Sequence, residues 1–222
     1  QFIEEIRADY QSSVNMVTDA EIALYSIKRE TDDSVIMVLG GTGSAVVLSE
    51  NDESTMIGGF GHILGDEGSG YHLAITALKE IITQYEEGKK KTDLTLAILQ
   101  EIKAKDHFEI KNFVYNKSKN EIARLSQFIA EYAINGNEEA IKLFKNEGVH
   151  LARQTLNAYN KLHIHNRVTI GIRGGFVLRA PFVKEALIEE LNKYKLNYIL
   201  DDLSLEPVYG AYYLGLRHLV KR

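Results

Sequence analysis

The sequence predicts a mixed-sheet α/β domain, and three patterns along the chain lead to this fold class. Near the amino end, two short runs rich in β-branched residues flank a glycine-rich loop, which predicts a β-hairpin. The middle of the chain repeats its apolar residues every three or four positions, as amphipathic helices do. Near the carboxyl end, extended and helical patterns alternate. A β-sheet with a helical insert accounts for all three patterns.

The hairpin is predicted from Val35–Leu39 and Ala45–Ser49, with Gly40–Ser44 as its turn. A polar turn follows the second run, and Thr55–Ile57 then provides a third extended segment. Because the connections are too short for a crossover, neighbouring strands are expected to be antiparallel. The sequence therefore predicts three consecutive antiparallel strands.

The helical middle begins at Ser69 and extends to about Leu162. Ser118 and Glu121 have the spacing of a capping box, and Asn135–Gly136 is a stop signal for the helix that this box begins. A longer helix follows the stop signal. Its wide apolar stripe indicates packing across a sheet.

The carboxyl end returns to alternating elements. Val168–Ile172 reads as a strand that Gly174–Gly175 interrupts, and Pro181 is expected in the first turn of a helix that runs to Tyr194. Tyr198–Leu200 is the last predicted strand.

The composition is that of an ordinary globular domain, with 45% hydrophobic and 26% charged residues in 222. A net charge of −5 gives no electrostatic reason to expect nucleic acid or an anionic membrane as a partner, so small molecules are expected instead. No apolar run reaches the roughly 18 residues that cross a bilayer, and the first twenty residues lack a signal-peptide pattern, so a cytoplasmic location is expected. Without cysteine, this chain holds no disulfide, thiolate nucleophile or cysteine-bound iron–sulfur cluster. Its seven histidines show no metal-ligand spacing, and no metal ligand is assigned.

The first candidate site is the loop Gly40–Ser44. Three glycines in five positions free the backbone to turn its N–H groups toward one point, where a phosphate fits, and Thr42 and Ser44 add hydroxyl donors. The loop is not a Walker P-loop, because no Gly-Lys-Ser/Thr follows and the chain leaves it as a strand. A plain hairpin turn is the alternative interpretation.

The second candidate is Gly58–Gly70, which contains six glycines in thirteen residues immediately before a helix. Glycine allows a ligand to approach the backbone closely, Phe60 offers an apolar face to a sugar ring, and Asp66 offers a carboxylate to sugar hydroxyls. In the alternative interpretation, Asp66 and Ser69 serve only as helix caps. Capping by Ser69 leaves the glycines unexplained.

Two shorter motifs are ambiguous by themselves. Thr18 and Glu21 have the spacing of a capping box, so the presence of Asp19 between them is explained by its favourable interaction with the helix dipole. A catalytic role for Asp19 is expected only if it faces the glycine loops. Gly174–Gly175 either turns the chain from strand to helix or lies flat against a planar ring.

In chain order, these motifs resemble those of the N-acetylglucosamine kinases and the wider BadF/BadG/BcrA/BcrD ATPase family. The resemblance extends from about Val17 to the carboxyl end, and Gly58–Gly70 is its most specific part. It implies an actin-like ATPase lobe, ribonuclease H-like, with a mixed β-sheet and a helical insert. Residues 1–34 would be a hinge and connecting helix, and residues 35–222 the carboxyl-terminal lobe, with the insert at about 70–162.

The resemblance also implies roles for single residues. Asp19 would be the general base, Gly41, Thr42 and Gly43 would bind the nucleotide phosphates, and Ser44 would lie between nucleotide and sugar. The residues implied to flank adenosine are Ala123, Gly174 and Gly175. The residues implied to line the sugar are Gly59, Phe60, Gly61 and Asp66.

The implied reaction is ATP-dependent phosphorylation of an amino sugar, N-acetylglucosamine or a relative such as N-acetylmuramic acid, at its 6-hydroxyl. Members of the family begin with an Asp-x-Gly-x-Thr loop on a first lobe, which would organise most of the Mg²⁺ site. This chain has no such loop, so it resembles the second lobe, and the chain alone is expected to have little kinase activity. A homodimer remains open.

Two departures leave the sugar open: Phe60 stands where related kinases carry Trp, and Ala45 where an Asn occurs. One alternative is an activator ATPase of the BadF type, which the absence of cysteine opposes because those activators hold an iron–sulfur cluster. The other is a non-catalytic sugar or nucleotide sensor, which the presence of both Asp19 and Asp66 opposes.

Overall fold

The computed structural model describes residues 4–6, 14, 16–31, 33–51, 53–163, 167–201 and 205–220. Most of the first half of the expected hinge segment, residues 1–34, lies outside this part. The strands are β1 (Val35–Gly40), β2 (Ser44–Glu50), β3 (Glu53–Gly58), β4 (Val168–Arg173) and β5 (Tyr198–Leu200). The helices are α1 (Asp19–Lys28), α2 (Gly70–Glu86), α3 (Asp93–Glu101), a 3₁₀ turn (His107–Glu109), α4 (Ile110–Asn116), α5 (Lys119–Ile134), α6 (Glu138–Tyr159), α7 (Gly175–Arg179), α8 (Val183–Asn192) and α9 (Val208–Val220).

The five strands form one mixed sheet in the order β3-β2-β1-β4-β5. β1, β2 and β3 are antiparallel neighbours, with Met37 opposite Val47 in the first pair, which confirms the predicted hairpin and third strand. β4 pairs parallel to β1 on its other side, and β5 pairs parallel to β4. The mixed α/β fold predicted from the sequence is confirmed.

The central strand β1 is buried on both faces, and its alternating side chains belong to two separate cores. Val35 and Met37 pack against α1, whereas Ile36 and Val38 belong to the larger core on the other face. Helix α1 therefore covers one face of the sheet. α6 and α8 belong to the opposite layer, where Gly148 of α6 lies so close to α8 that a Cβ there would be 2.4 Å from the Val183 carbonyl oxygen.

The direction of α1 is fixed by its last residue. Lys28 is buried, and its ammonium donates to the Ser49 hydroxyl at 3.1 Å, at the end of the sheet where β1 begins. Ala20, in the first turn of α1, and Leu39, near the carboxyl end of β1, both pack against the small core that α1 forms with the sheet. The first turn of α1 therefore lies toward the other end of the sheet, where β1 runs into Gly40–Ser44.

The helical insert follows the sequence closely. Ser69 caps α2, accepting from the His72 N–H at 3.2 Å, and Ser118 and Glu121 form the predicted capping box of α5. That helix ends at Ile134, before the predicted stop signal. In the described part of the chain, no helix is both long and apolar enough to cross a membrane.

The placement of the helix around Pro181 was wrong. α8 begins at Val183, and Pro181 lies in the turn before it, because a separate short helix, α7, already follows Gly174 directly. Ala180, the residue before the proline, is extended with φ −70° and ψ 139°, as the clash with a proline ring favours. The proline thus ends α7 instead of beginning α8.

Candidate functional site

The candidate site lies where two parallel strands end side by side. The carboxyl end of β1 leads into Gly40–Ser44, and the carboxyl end of its parallel neighbour β4 leads into Gly174–Gly175. Gly174 has φ 101°, and a Cβ added to it would lie 2.5 Å from the Gly40 carbonyl oxygen. Only glycine permits both this backbone conformation and this contact. Ligands of open α/β sheets bind at such carboxyl ends.

The two glycine-rich segments are joined by hydrogen bonds into one unit. Gly70 donates its N–H to the Gly41 carbonyl at 3.0 Å, and Tyr71 donates to the Thr42 carbonyl at 3.3 Å. The buried Ser44 hydroxyl donates to the Glu67 carbonyl at 2.7 Å. The helix that begins at Gly70 therefore holds the loop between β1 and β2 in place, which a free hairpin turn would not require.

A cleft of about 610 Å³ opens beside this unit, and α5 forms its far wall. Four of the residues predicted to bind nucleotide line it, namely Gly41, Thr42, Ala123 and Gly175. Gly43, Ser44 and Gly174 do not line it, although they belong to the same loops. The structure thus brings together motifs that are separated in the sequence by the whole helical insert.

Several polar residues of this cleft are not among those predicted from the sequence. Asn120, Arg124 and Gln127 lie on α5, and Arg179 lies at the end of α7. Among the described residues that line the cleft, the two arginines are the only charged side chains, and none of these residues is a carboxylate. The spacing of 120, 124 and 127 places those three on one face of a helix, a signal that the sequence contained.

Asp66 is held in a strained and buried position next to the loop. It has φ 69°, and its side chain is 4% exposed. Its Oδ1 accepts from the Ser44 N–H at 3.1 Å, while its Oδ2 lies 2.6 Å from the ammonium of Lys119 on α5. That ion pair lacks hydrogen-bond geometry, and Oδ2 accepts no hydrogen bond from the described residues. The Asp66 side chain therefore contacts the Gly40–Ser44 loop and α5, while Ser69 caps α2.

A buried carboxylate on α6 holds the segment Gly58–Gly70 in place through hydrogen bonds. Glu147 is 1% exposed and accepts from the Gly68 N–H at 2.7 Å and from His72 Nδ1 at 2.9 Å. Burial lowers the pKa of His72, but the hydrogen bond and the charge of Glu147 outweigh it, so the pKa is raised above its ordinary value. The segment that carries Asp66 is thus anchored to the core through a charged group.

The residues predicted to line a sugar lie at the end of β3. A Cβ on Gly59 would be 3.3 Å from the Cβ of Ala45, the residue after Ser44. Phe60 is 72% exposed, and apart from the chain neighbours of Gly61 no described residue lies within 4 Å of the position that a Cβ on Gly61 would take. These residues therefore form an open surface next to the loop, with room for a ligand.

Asp19 lies at the first position of α1, and its side chain is exposed. Thr18 caps the helix by accepting from the Glu21 N–H at 3.1 Å, so the helix start does not require Asp19 as its cap. Because α1 points its first turn toward the end of the sheet that carries Gly40–Ser44, Asp19 lies at the same end as the glycine loops. Its role as a base stays a prediction.

The fold and the loop geometry define an α/β lobe with a ligand cleft at the carboxyl ends of its parallel strands, and comparison with known proteins gives its family. The BadF/BadG/BcrA/BcrD ATPase family matches residues 2–215, so the chain belongs to that family.

Two characterised relatives are similar to the chain. One is the N-acetylmuramic acid/N-acetylglucosamine kinase of Clostridium acetobutylicum, 33% identical over 196 residues, which cover 85% of this chain and 61% of the relative. The other is the N-acetyl-D-glucosamine kinase of Dictyostelium discoideum, 23% identical over 204 residues, which cover 89% of this chain and 64% of the relative. The chain thus spans somewhat over three fifths of each of these relatives.

Solved structures share this fold and confirm the fold class predicted from the sequence. A candidate N-acetylglucosamine kinase from Chromobacterium violaceum superimposes with a TM-score of 0.67 at 19% identity, over 93% of this chain and 68% of that protein. At this identity the likeness establishes the fold alone.

Proposed function

We propose that this chain supplies the nucleotide-binding lobe of an ATP-dependent kinase that phosphorylates the 6-hydroxyl of an amino sugar, N-acetylglucosamine or a relative such as N-acetylmuramic acid. The observation that carries this proposal is the convergence of Gly41, Thr42, Ala123 and Gly175 on one cleft. The sugar class is taken from the names of the Clostridium and Dictyostelium relatives.

The chemistry of the cleft fits a nucleotide polyphosphate. Its volume of about 610 Å³ lies within the range of about 300–1,000 Å³ that is usual for small-molecule sites. Thr42 exposes a hydroxyl next to the glycine backbone, and the charged residues among the described lining, Arg124 and Arg179, are both positive. A lining with cations and no carboxylate favours an anionic ligand. We assign Gly41, Thr42 and Gly43 to the phosphates, and Ala123, Gly174 and Gly175 to adenosine.

Asp19 is proposed as the general base. In the reaction, the sugar oxygen forms a bond to the γ-phosphorus of ATP in line with the bond from that phosphorus to the β-phosphate oxygen, which breaks to release ADP. The proton of the sugar hydroxyl passes to the Asp19 carboxylate. Because phosphoryl transfer depends mainly on alignment and charge stabilisation, one positioned carboxylate is sufficient on the sugar side.

Mg²⁺ is expected with the nucleotide, but the lining of this cleft does not provide its ligands. None of the lining residues is an Asp or Glu, and the described residues contain no group of three or more His, Asp or Glu side chains that could hold a metal. The proposed mechanism therefore assigns no step to a metal ion bound by this chain.

The sugar is proposed to lie on the open surface formed by Gly59, Phe60 and Gly61, with Ser44 at its border with the nucleotide. Phe60 presents an exposed ring on which a sugar can lie, and Asp66 would accept hydroxyl hydrogen bonds at its unsatisfied Oδ2. The methyl side chain of Ala45 lies next to Gly59 and offers no hydrogen bond to the sugar.

We further propose that the chain divides at residue 34 into a connecting segment and a carboxyl-terminal lobe, residues 35–222, with residues 70–162 as its insert. α1 of the connecting segment packs on the sheet face away from the insert, as a hinge helix would. A cytoplasmic location follows from the need for ATP.

The test is a coupled ADP-release assay on the complete gene product that contains this chain, against a panel of amino sugars. Turnover with N-acetylglucosamine or N-acetylmuramic acid is expected, and Asp19→Asn should lower kcat by about 10²–10⁴-fold while sugar binding survives. Asp93→Asn is the matched control, because Asp93 is also exposed at the first position of a helix capped by a threonine. It should leave kcat unchanged.

Three results would contradict the proposal. Unchanged turnover in Asp19→Asn would refute the assignment of the base. ADP release that no sugar stimulates would favour an activator ATPase, although the absence of cysteine from this chain opposes one. Binding of sugar and nucleotide without any turnover would make the protein a sensor.

A further inference from the structure

Lys119 occupies a position between the proposed nucleotide and sugar subsites. Its ammonium lies 2.6 Å from Asp66 Oδ2 and 2.7 Å from the position that a Cβ on Gly43 would take. The ammonium is therefore in contact with the Gly40–Ser44 loop. It reaches there from the first turn of α5, the helix whose Asn120 and Ala123 line the nucleotide cleft.

In this position Lys119 closes Asp66 to any ligand. Asp66 is 4% exposed, and its Oδ2 has less than 1 Å² of accessible surface although it accepts no hydrogen bond from the described residues. A sugar hydroxyl can reach Oδ2 only if the ammonium moves away. The Lys119 side chain is 32% exposed, so it has solvent into which to move.

A phosphate in the loop offers Lys119 a second partner. Lysine carries a compact charge on a flexible stem, and its interaction with a nucleotide phosphate is charge-assisted. Since the ammonium already lies over Gly43, a phosphate held by the neighbouring Thr42 would be within the reach of a rotamer change. Lys117, two residues earlier, pairs with Glu121 at 2.9 Å and points to a different partner.

We propose that Lys119 is a nucleotide-phosphate ligand that leaves Asp66 when the nucleotide binds and thereby opens Asp66 to the sugar. Lys119 has this role only if the proposed function holds. Nucleotide binding then raises the affinity for the sugar, and by thermodynamic linkage the sugar raises the affinity for the nucleotide by the same factor.

The test measures both affinities by calorimetry on the complete gene product, with a non-hydrolysable ATP analogue and N-acetylglucosamine as probes. In the unmodified protein the saturating analogue should tighten sugar binding by about 5–150-fold, the usual range of such coupling. Lys119→Met should weaken binding of the analogue, tighten binding of the sugar alone, and bring the coupling factor close to one. Lys119→Arg should keep most of the coupling, and the control Lys117→Met all of it.

Weaker binding of the analogue together with tighter binding of the sugar separates this role from a merely structural one, because a damaged site would bind both ligands more weakly. Equal weakening of both ligands in Lys119→Met, or an unchanged coupling factor, overturns the inference while leaving the proposed function intact. If the unmodified protein binds neither probe, the proposed function fails and this inference fails with it. Thermal unfolding of each variant shows whether a loss of binding comes from a loss of fold, and Lys119→Arg then decides the question.

Discussion

The substitution Glu147→Gln tests whether the glycine segment that carries Asp66 depends on a buried charge. The Glu147 carboxylate accepts from the Gly68 N–H at 2.7 Å and from His72 Nδ1 at 2.9 Å, and its residue is 1% exposed. Glutamine has nearly the same shape, but it carries no charge and has one acceptor oxygen instead of two. Its amide nitrogen would therefore face one of the two donors.

The expected loss of stability follows from these contacts. A hydrogen bond to a charged group contributes about 1.5–3 kcal/mol, and removing one partner of a buried pair costs about 3–5 kcal/mol. Because the amide oxygen keeps one of the two hydrogen bonds, we expect a loss of about 2–3 kcal/mol in the free energy of unfolding. For a chain of this size, that loss corresponds to a decrease in Tm of about 4–12 °C.

The measurement is thermal and urea unfolding followed by far-UV circular dichroism, with Glu131→Gln as the control, because Glu131 is exposed on α5. A Tm for Glu147→Gln within about 1 °C of the control would show that the buried charge does not stabilise the segment. Affinity for the ATP analogue, measured on the same samples, should fall together with stability, since Gly70 and Tyr71 hold the loop at Gly41 and Thr42.

Three further predictions concern the same site. The pKa of His72 is higher in the folded protein than in the unfolded chain, so its ion pair with Glu147 stabilises the protein fully below about pH 6.5 and less as the pH rises through the folded pKa. The variant His72→Gln should therefore show a weaker dependence of the free energy of unfolding on pH in this range, measured by urea unfolding at several pH values. Gly174→Ala combines a φ of 101° with a Cβ 2.5 Å from a carbonyl oxygen and should cost about 2–4 kcal/mol in the free energy of unfolding. Gly136→Ala, with φ 87° and, apart from its chain neighbours, no described residue within 4 Å of the added Cβ, should cost about 1 kcal/mol. Equal losses by urea unfolding would show that the contact with β1 does not matter. Arg179→Met should weaken binding of the ATP analogue by about tenfold in calorimetry, whereas Arg153→Met, at an exposed position outside the cleft, should not. An equal loss of affinity in both variants would show that Arg179 acts only through the net charge of the protein and not through a direct contact.

Local patterns were enough to predict most of the elements. The hairpin around Gly40–Ser44 and the caps at Ser69 and Ser118 depend on residues that lie within a few positions of one another, so a single sequence contains what determines them. Pro181 was misplaced because two rules compete there: proline favours the first turn of a helix, but it also forces the preceding residue to be extended. The extended Ala180 shows that the second rule decided the outcome.

The contacts that give the candidate site its electrostatics could not be predicted in this way. Asp66 and Lys119 belong to different elements, and so do His72 and Glu147; nothing near either member of a pair in the sequence indicates its partner. A lysine at the start of a helix reads as a solvated charge, and a glutamate within an amphipathic helix reads as part of its polar face. Such pairs appear only when the three-dimensional packing of α2, α5 and α6 is known.

The motifs themselves became informative through topology. Gly40–Ser44 alone is compatible with a plain turn, and Gly174–Gly175 alone with a simple strand-to-helix connection. Because β4 returns parallel to β1 after the whole helical insert, the carboxyl ends of both strands lie side by side, and Gly174 packs against Gly40. An antiparallel return would have placed Gly174–Gly175 at the opposite end of the sheet, away from the first loop and from Asp19. A parallel return needs a long connection between the strands, and the length of the insert therefore allows one cleft to form from two distant glycine motifs.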